Sequence, residues 1–330
     1  MTKRNKEECI VAQKVRLEGR KEQTGISWKK YLKQNYQLYL FLIPGLVFIF
    51  IFCILPMVGI VIAFEDYSLF AADNPFAAMF RSEWVGLKHF RNLLARQEFR
   101  TAFLNTISIS LLKLLINFPV PIIFAILLNE LKSQYFSKIV QLVAYLPHFL
   151  SWTIVSGMVV SIFSSTGMIN HLIGSFGAEP VNFLMNAKFF RWLIVFSDGW
   201  KEFGWSSIVY LAAITGLDEE CVEAARVDGA NEIQKIWYII IPGIMPTIVM
   251  MLILRVGKLM AAGFEQIFAM YNPTVYSTVD IIETYIYRIG LGDLNFSFGT
   301  AVGLFNSVIA FTLVVSSNFI MKKVTKQSIW

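Results

Sequence analysis

Charge is scarce in this chain. Only 16% of its 330 residues are Asp, Glu, Lys or Arg, 56% are hydrophobic and mean hydropathy is +0.57, which excludes an ordinary soluble domain. Catalytic signatures are absent as well. The sequence holds no H-E-x-x-H, G-x-S-x-G or G-x-x-x-x-G-K-[ST] segment, so zinc-protease, serine-hydrolase and nucleotide-binding readings find no support. The three histidines, His89, His148 and His171, lack metal-ligand spacing and read as satisfied groups near helix ends. The three cysteines, Cys9, Cys53 and Cys221, fall in a tail, a span and a loop, so no disulfide framework is expected. Neither an internal repeat nor a low-complexity tract is evident. A cleaved signal peptide is not expected either, because the first apolar run follows 36 polar, charged residues and is too long for a signal h-region.

What the chain has instead is long apolar runs. A helix needs about 20 mostly apolar residues to cross a bilayer, and six windows qualify: 38–64, 101–128, 138–163, 191–217, 238–260 and 299–321. The fold class is therefore an all-α polytopic membrane protein with six transmembrane helices, both termini on one side. Residues 1–36 carry ten basic residues against four acids, and Lys322, Lys323 and Lys326 follow the last window. The positive-inside bias then places both termini in the cytoplasm. The tail reads first as a topology signal that also touches anionic lipid headgroups, and no nucleic-acid partner is expected. Four segments follow: a basic tail 1–36, a first span with its outer loop 37–100, a core 101–323 with a cytoplasmic loop 218–242 and an outer loop 261–298, and a C-terminal end 324–330. Pro44 and Pro56 should kink the first span, and the Trp84–Phe90 stretch suggests a helix at the outer interface. The loop 261–298 is long enough to be a docking surface.

Charges inside spans are costly and call for a use or a partner. The fourth window carries Asp198, Lys201 and Glu202 beside Trp200 and Trp205, and Lys113, Arg255 and Lys258 are the other embedded or near-interface charges. One reading is a water-filled cavity in which aromatic faces stack on sugar rings, with Asn105 and Trp152 among its candidates. The other is buried pairing, Asp198 with Lys201 or Lys201 with Glu202, that only fixes helix packing.

The polar island at 218–236 has its own logic. Asp218 can cap a short helix, Ala224 and Ala225 allow close approach by a partner, and Asp228-Gly229 supplies a turn. A second helix should start near Asn231 and run to Pro242 and Pro246, which would mark the return into the bilayer. The island is thus a helix-turn-helix hairpin on the cytoplasmic face, or else a solvated connector.

The run Glu223-Ala224-Ala225, with Asp228-Gly229-Ala230 and then Ile241-Pro242-Gly243, resembles the EAA signature of permease subunits of ABC importers. Trp84–Phe90, Asn105-Thr106, Tyr145–Trp152, Trp200–Trp205 and Thr284–Arg288 extend the resemblance from about Tyr39 to Lys323. It lies in the MalF/MalG-type carbohydrate branch and, within it, the LplB-like subgroup. Cys221 departs from it, since relatives tend to carry a bulkier residue there. The resemblance implies a type I importer permease fold with a cytoplasmic coupling helix, in a bacterial cell membrane. Glu223 would face the cleft of an ATPase, Gly229 would turn the hairpin into it, and Ala224 and Ala225 would make close contact. It further implies a second homologous permease, two ATPase subunits, an extracytoplasmic solute-binding protein and an oligosaccharide substrate. ATP and Mg would sit on the ATPase, with no cofactor, metal or catalytic residue on this chain. Two other classes compete: an ion-coupled secondary transporter, which usually shows inverted repeats, and a membrane enzyme on lipid or glycan using Asp198 and Glu202.

Overall fold

A computed structural model describes residues 28–325; residues 1–27 of the basic tail, with Cys9, and 326–330, with Lys326, lie outside the described residues. The chain divides into two units, 1–60 and 61–330. Within the described residues the first unit holds a short helix, Trp28–Gln34, and most of α1, Tyr36–Phe64. Proline shapes α1 without breaking it. Phe50–Ile54 widens into a π turn, in which the Leu55 N–H bonds to the Phe50 carbonyl, and this register shift lets the helix pass Pro56, which lacks a donor.

The second unit opens with a two-stranded antiparallel ribbon, in which Glu65 pairs with Trp84 and Asp66 with Glu83. Between its strands lies α2, Pro75–Arg81, capped by Asn74. Next come α3, Lys88–Ala95, and α4, Gln97–Asn129, in which Pro119 sits at the first position of a fresh turn where a missing donor costs little. The third apolar window is not one helix. It contains α5, Gln134–Tyr145, a tight turn at Leu146–Phe149 and α6, Trp152–Phe163, because Pro147 interrupts the ladder and the Ser151 hydroxyl caps the Ile154 N–H at 3.3 Å. The helical stretch here that is long and apolar enough to cross is Trp152–Ser175.

Next is α7, Ala187–Thr215, of 29 residues, about 43 Å long and ample for a bilayer. The short α8, Glu219–Val227, precedes α9, Glu232–Gly257. Then come α10, Phe264–Met270, α11, Ile282–Ile286, and α12, Phe296–Thr325. Among the described residues five helices are long and apolar enough to cross a membrane. The fourth window, α7, is long enough too but carries Lys188, Arg191, Asp198, Lys201 and Glu202, so six spans are compatible with what is observed.

Three apolar clusters hold the second unit together. Ile109, Phe190 and Ile194 meet Ile267, Val275 and Ile281; Phe99, Tyr285 and Phe298 form a second; Ile126, Tyr210, Ile240 and Ile244 form a third. Residues 261–298 therefore contribute buried core and fold into short helices, where the sequence suggested an open loop. Contact between α7 and α5 is so close that a Cβ on Gly204 would lie 2.1 Å from the Ala144 carbonyl oxygen.

Candidate coupling hairpin and intramembrane charge site

The hairpin forms from local chemistry. Asp218 Oδ1 accepts from the Glu220 N–H at 3.0 Å and opens α8. At its far end the Asp228 and Ala230 N–H groups donate to the Ala224 and Ala225 carbonyls at 2.9 and 3.0 Å. Gly229 sits there at φ +81, a left-handed conformation that glycine adopts without steric cost. Asn231 starts α9 with a capping box: its Oδ1 accepts from the Gln234 N–H while Gln234 Oε1 accepts from the Asn231 N–H, each at 2.9 Å. The second helix does not stop at Pro242 or Pro246. A π turn at Ile236–Ile240 lets the Ile241 N–H reach the Ile236 carbonyl, so α9 carries through both prolines by the device used before Pro56. Gly243 leaves room for Leu217, whose Cδ2 would lie 2.6 Å from an added Cβ.

Glu223, Ala224, Asp228 and Gly229 are exposed, while Ala225 and Ala230 are half-buried. Cys221 is an exposed free thiol, as is Cys53. Sequence reasoning missed Val227, an apolar side chain 87% exposed on the same hairpin. It also missed the base of the hairpin, where Lys235 is buried and donates to Glu130 Oε2 at 2.8 Å and pairs with Glu232. The only signal was Glu130 at the end of an apolar run. Between α4, α7 and the hairpin a cavity of ≈ 360 Å³ is lined by Glu130, Leu217, Glu223 and Lys235.

The second constellation lies within the long helices. Lys113 of α4 donates to Asp198 Oδ1 of α7 at 2.9 Å, to the Ala262 carbonyl at 2.9 Å and to Gln266 Oε1 at 2.6 Å. Asn117 Nδ2 donates to Asp198 Oδ2 at 3.0 Å, and Gln266 Nε2 donates to the Ile194 carbonyl and Ser197 Oγ. Asp198 thus pairs with Lys113, and Lys201 turns the other way. Lys201 Nζ donates to the His148 carbonyl at 2.7 Å and to Glu202 Oε1 at 3.2 Å, lies over the Trp152 ring at 5.3 Å, and shares Glu202 with His148 Nδ1 at 2.9 Å. The His148 ring stacks on Trp205 at 4.6 Å. Trp200 and Trp205 keep exposed faces.

Asn105 is elsewhere. It is buried, its Nδ2 donates to the Tyr276, Ser277 and Asp280 carbonyls and its Oδ1 accepts from Arg191 at 2.9 Å. It clamps α4 to the 276–280 segment, where Arg288 forks onto Asp280. Nearby, burial pushes the Glu283 carboxyl up to about 7, partly offset by the Phe264 N–H.

Residues 117–327 match the family described as "Binding-protein-dependent transport system inner membrane component". The chain is 42% identical to Protein LplB of Bacillus subtilis over 93% of this chain and 95% of that protein. It is also 42% identical to the polygalacturonan/rhamnogalacturonan transport system permease protein YteP of the same organism, over 91% and 92%. Among solved structures it resembles a chain of a bacterial alginate ABC transporter in complex with an alginate pentasaccharide-bound periplasmic protein. There the identity is 39%, the TM-score 0.83, and the match covers 92% of this chain and 99% of that one. The fold is thus that of a type I importer permease, and the chain belongs to the binding-protein-dependent transport system inner membrane component family.

Proposed function

We propose that this chain is a permease subunit of an ATP-driven, binding-protein-dependent importer of an oligosaccharide, and that it forms half of the translocation path beside a second homologous permease. The observation that carries the coupling role is the hairpin at 218–242, which presents Glu223, Ala224 and the apolar Val227 to solvent. Two ATPase subunits carrying ATP and Mg would close on the hairpins, and the motion would pass into the spans as a shift between inward- and outward-open states. Glu223 would face the ATPase cleft, Ala224 and Ala225 would make the close contact, and Asp228, Gly229 and Ala230 would set the turn. The excess of basic residues at both ends of the chain supports placing the termini and hairpin in the cytoplasm. An extracytoplasmic binding protein would deliver the sugar from the opposite side.

The carbohydrate reading draws support from the relatives, one described as a polygalacturonan/rhamnogalacturonan permease and one as an alginate transporter. Trp200 and Trp205 offer faces for sugar rings near the charged cluster. The two carboxylates that an enzyme would need are occupied, Asp198 by Lys113 and Asn117 and Glu202 by Lys201 and His148. The test is copurification with the ATPase together with uptake. Glu223→Ala and Gly229→Pro should lose both, and full association in both variants would defeat the hairpin assignment.

A further inference from the structure

The short helix α2, Pro75–Arg81, is apolar on two opposite sides. Ala78 and Met79 are buried against the protein. Phe76 and Phe80 lie one turn apart, on the side of the helix away from Ala78, and are 68% and 80% exposed. Phe70, in the turn at Leu69–Ala71 that precedes α2, is 96% exposed. A helix that meets water shows it a polar face, and one that is apolar all round is covered. The cover for these rings comes from outside the chain.

Depth decides what that cover is. The Val85 and Gly86 N–H groups donate to the Phe64 carbonyl at 2.8 and 3.0 Å, which ties the ribbon to the last residue of α1. The Tyr67 N–H donates to Ser297 Oγ at 2.8 Å, in the first turn of α12. The Tyr67 hydroxyl donates to the Pro75 carbonyl at 3.2 Å, at the start of α2. Arg81 ends α2 just before Glu83, which pairs with Asp66 in the ribbon. Both ends of α2 are therefore fastened beside the ends of α1 and α12, two helices long and apolar enough to cross a membrane, and a third, α4, starts nearby in sequence at Gln97. This is the end away from the hairpin, because Glu130, just past the other end of α4, pairs with Lys235.

A segment that joins span ends lies at the level of the lipid headgroups, where aromatic rings and long basic side chains are accommodated. The neighbours of α2 have that character. Trp84 stacks on Phe64 at 5.7 Å and still keeps an exposed face, and Arg81 is exposed next to Phe80.

We propose that α2 is a membrane-surface anchor, in which Phe76 and Phe80, with Phe70 beside them, insert into the leaflet opposite the hairpin. The partner of this face is phospholipid. A short helix lying in the interface plane buries its apolar side about 5–10 Å into the boundary between headgroups and acyl chains. Through Tyr67 and the ribbon, the anchor fixes the level at which the last residue of α1 and the first turn of α12 sit in the bilayer. It holds whatever the substrate, since it uses only the membrane setting of the family.

The test uses the full chain in its assembled complex in nanodiscs of phosphatidylglycerol and phosphatidylcholine. Native cysteines are replaced by serine, and a single nitroxide is attached at Phe76→Cys or at Phe80→Cys. Molecular oxygen concentrates in hydrocarbon and a nickel chelate stays in water, so their collision rates with the nitroxide report its depth. At both positions collisions with oxygen should exceed those with the chelate, and adding the binding protein should leave both rates unchanged. More frequent collisions with the chelate at either position overturn the proposal, because the face then lies in water. Shielding from both probes, in the complex or on adding the binding protein, also overturns it, because the cover is then a protein. If the cysteine variants do not assemble, p-benzoyl-phenylalanine in place of Phe80 keeps an aromatic ring there. Irradiation should then yield lipid adducts at residue 80, and adducts to a subunit or to the binding protein refute the anchor. Uptake is no part of either readout, so the transport reading stands or falls separately.

Discussion

Lys235 is where the mechanical claim is most exposed to refutation. Its side chain is 4% exposed and joins Glu130, 28% exposed, at 2.8 Å. That contact fastens the foot of the hairpin to the end of α4, immediately before the π turn at Ile236–Ile240. Lys235→Met removes the cation and leaves the Glu130 carboxylate facing the cavity. Its Oε1 already has no partner, so Oε2 would join it. Breaking a fully buried pair costs about 3–5 kcal/mol, and the partial exposure of Glu130 lowers this to about 2–3 kcal/mol. Glu130→Leu with Lys235→Met removes both charges together, so the double variant should lie within about 1 kcal/mol of wild type. The assay is a double-mutant cycle read in two ways: thermal unfolding of the purified complex, and uptake per ATP hydrolysed. The single variant should unfold several degrees earlier and hydrolyse ATP with less uptake, whereas the double should recover stability. If Lys235→Met unfolds like wild type, or if the two single effects simply add in the double, the pair does not fasten the hairpin and the reasoning fails.

Gly204→Ala should destabilise the α5–α7 contact by about 1–3 kcal/mol, because the new methyl meets a backbone carbonyl at 2.1 Å and not a movable side chain; unfolding of the variant at the wild-type temperature would contradict the packing described. Glu283 gives a pH signature. Its carboxyl titrates near 7 when folded against an ordinary 4.5, so between those values the folded state holds the extra proton and stability falls as pH rises. Glu283→Gln should flatten that part of the stability profile, and an unchanged slope would show that another group carries it.

Much of the architecture was legible because hydrophobic runs report spans directly. The hairpin was legible for a related reason: Asp218, Gly229 and Asn231 act within a few residues, so capping and turn chemistry can be read locally. Pro242 misled because proline signals a break, and only the preceding five-residue π turn shows that the register shifts to keep the ladder. Pro147 had the opposite outcome, since Ser151 stood ready to cap a new helix. Pairing across the bundle was not legible. Asp198 has Lys201 one turn away, yet its partner is Lys113, 85 residues distant, because Lys201 points to the His148 carbonyl in the turn between α5 and α6. Gln266, which completes that cluster, lay in a stretch that reads as loop, and Asn105 gave no sign that its amide clamps residues more than 170 positions away.

The central claim is that this permease moves an oligosaccharide only when a separate ATPase works its hairpin. Proteoliposomes holding the two permeases, with the binding protein present and the ATPase either present or omitted, test it most directly through uptake of labelled oligosaccharide. The account predicts uptake that requires both ATPase and ATP and that Glu223→Ala abolishes. Uptake driven by an ion gradient with the ATPase omitted would contradict it.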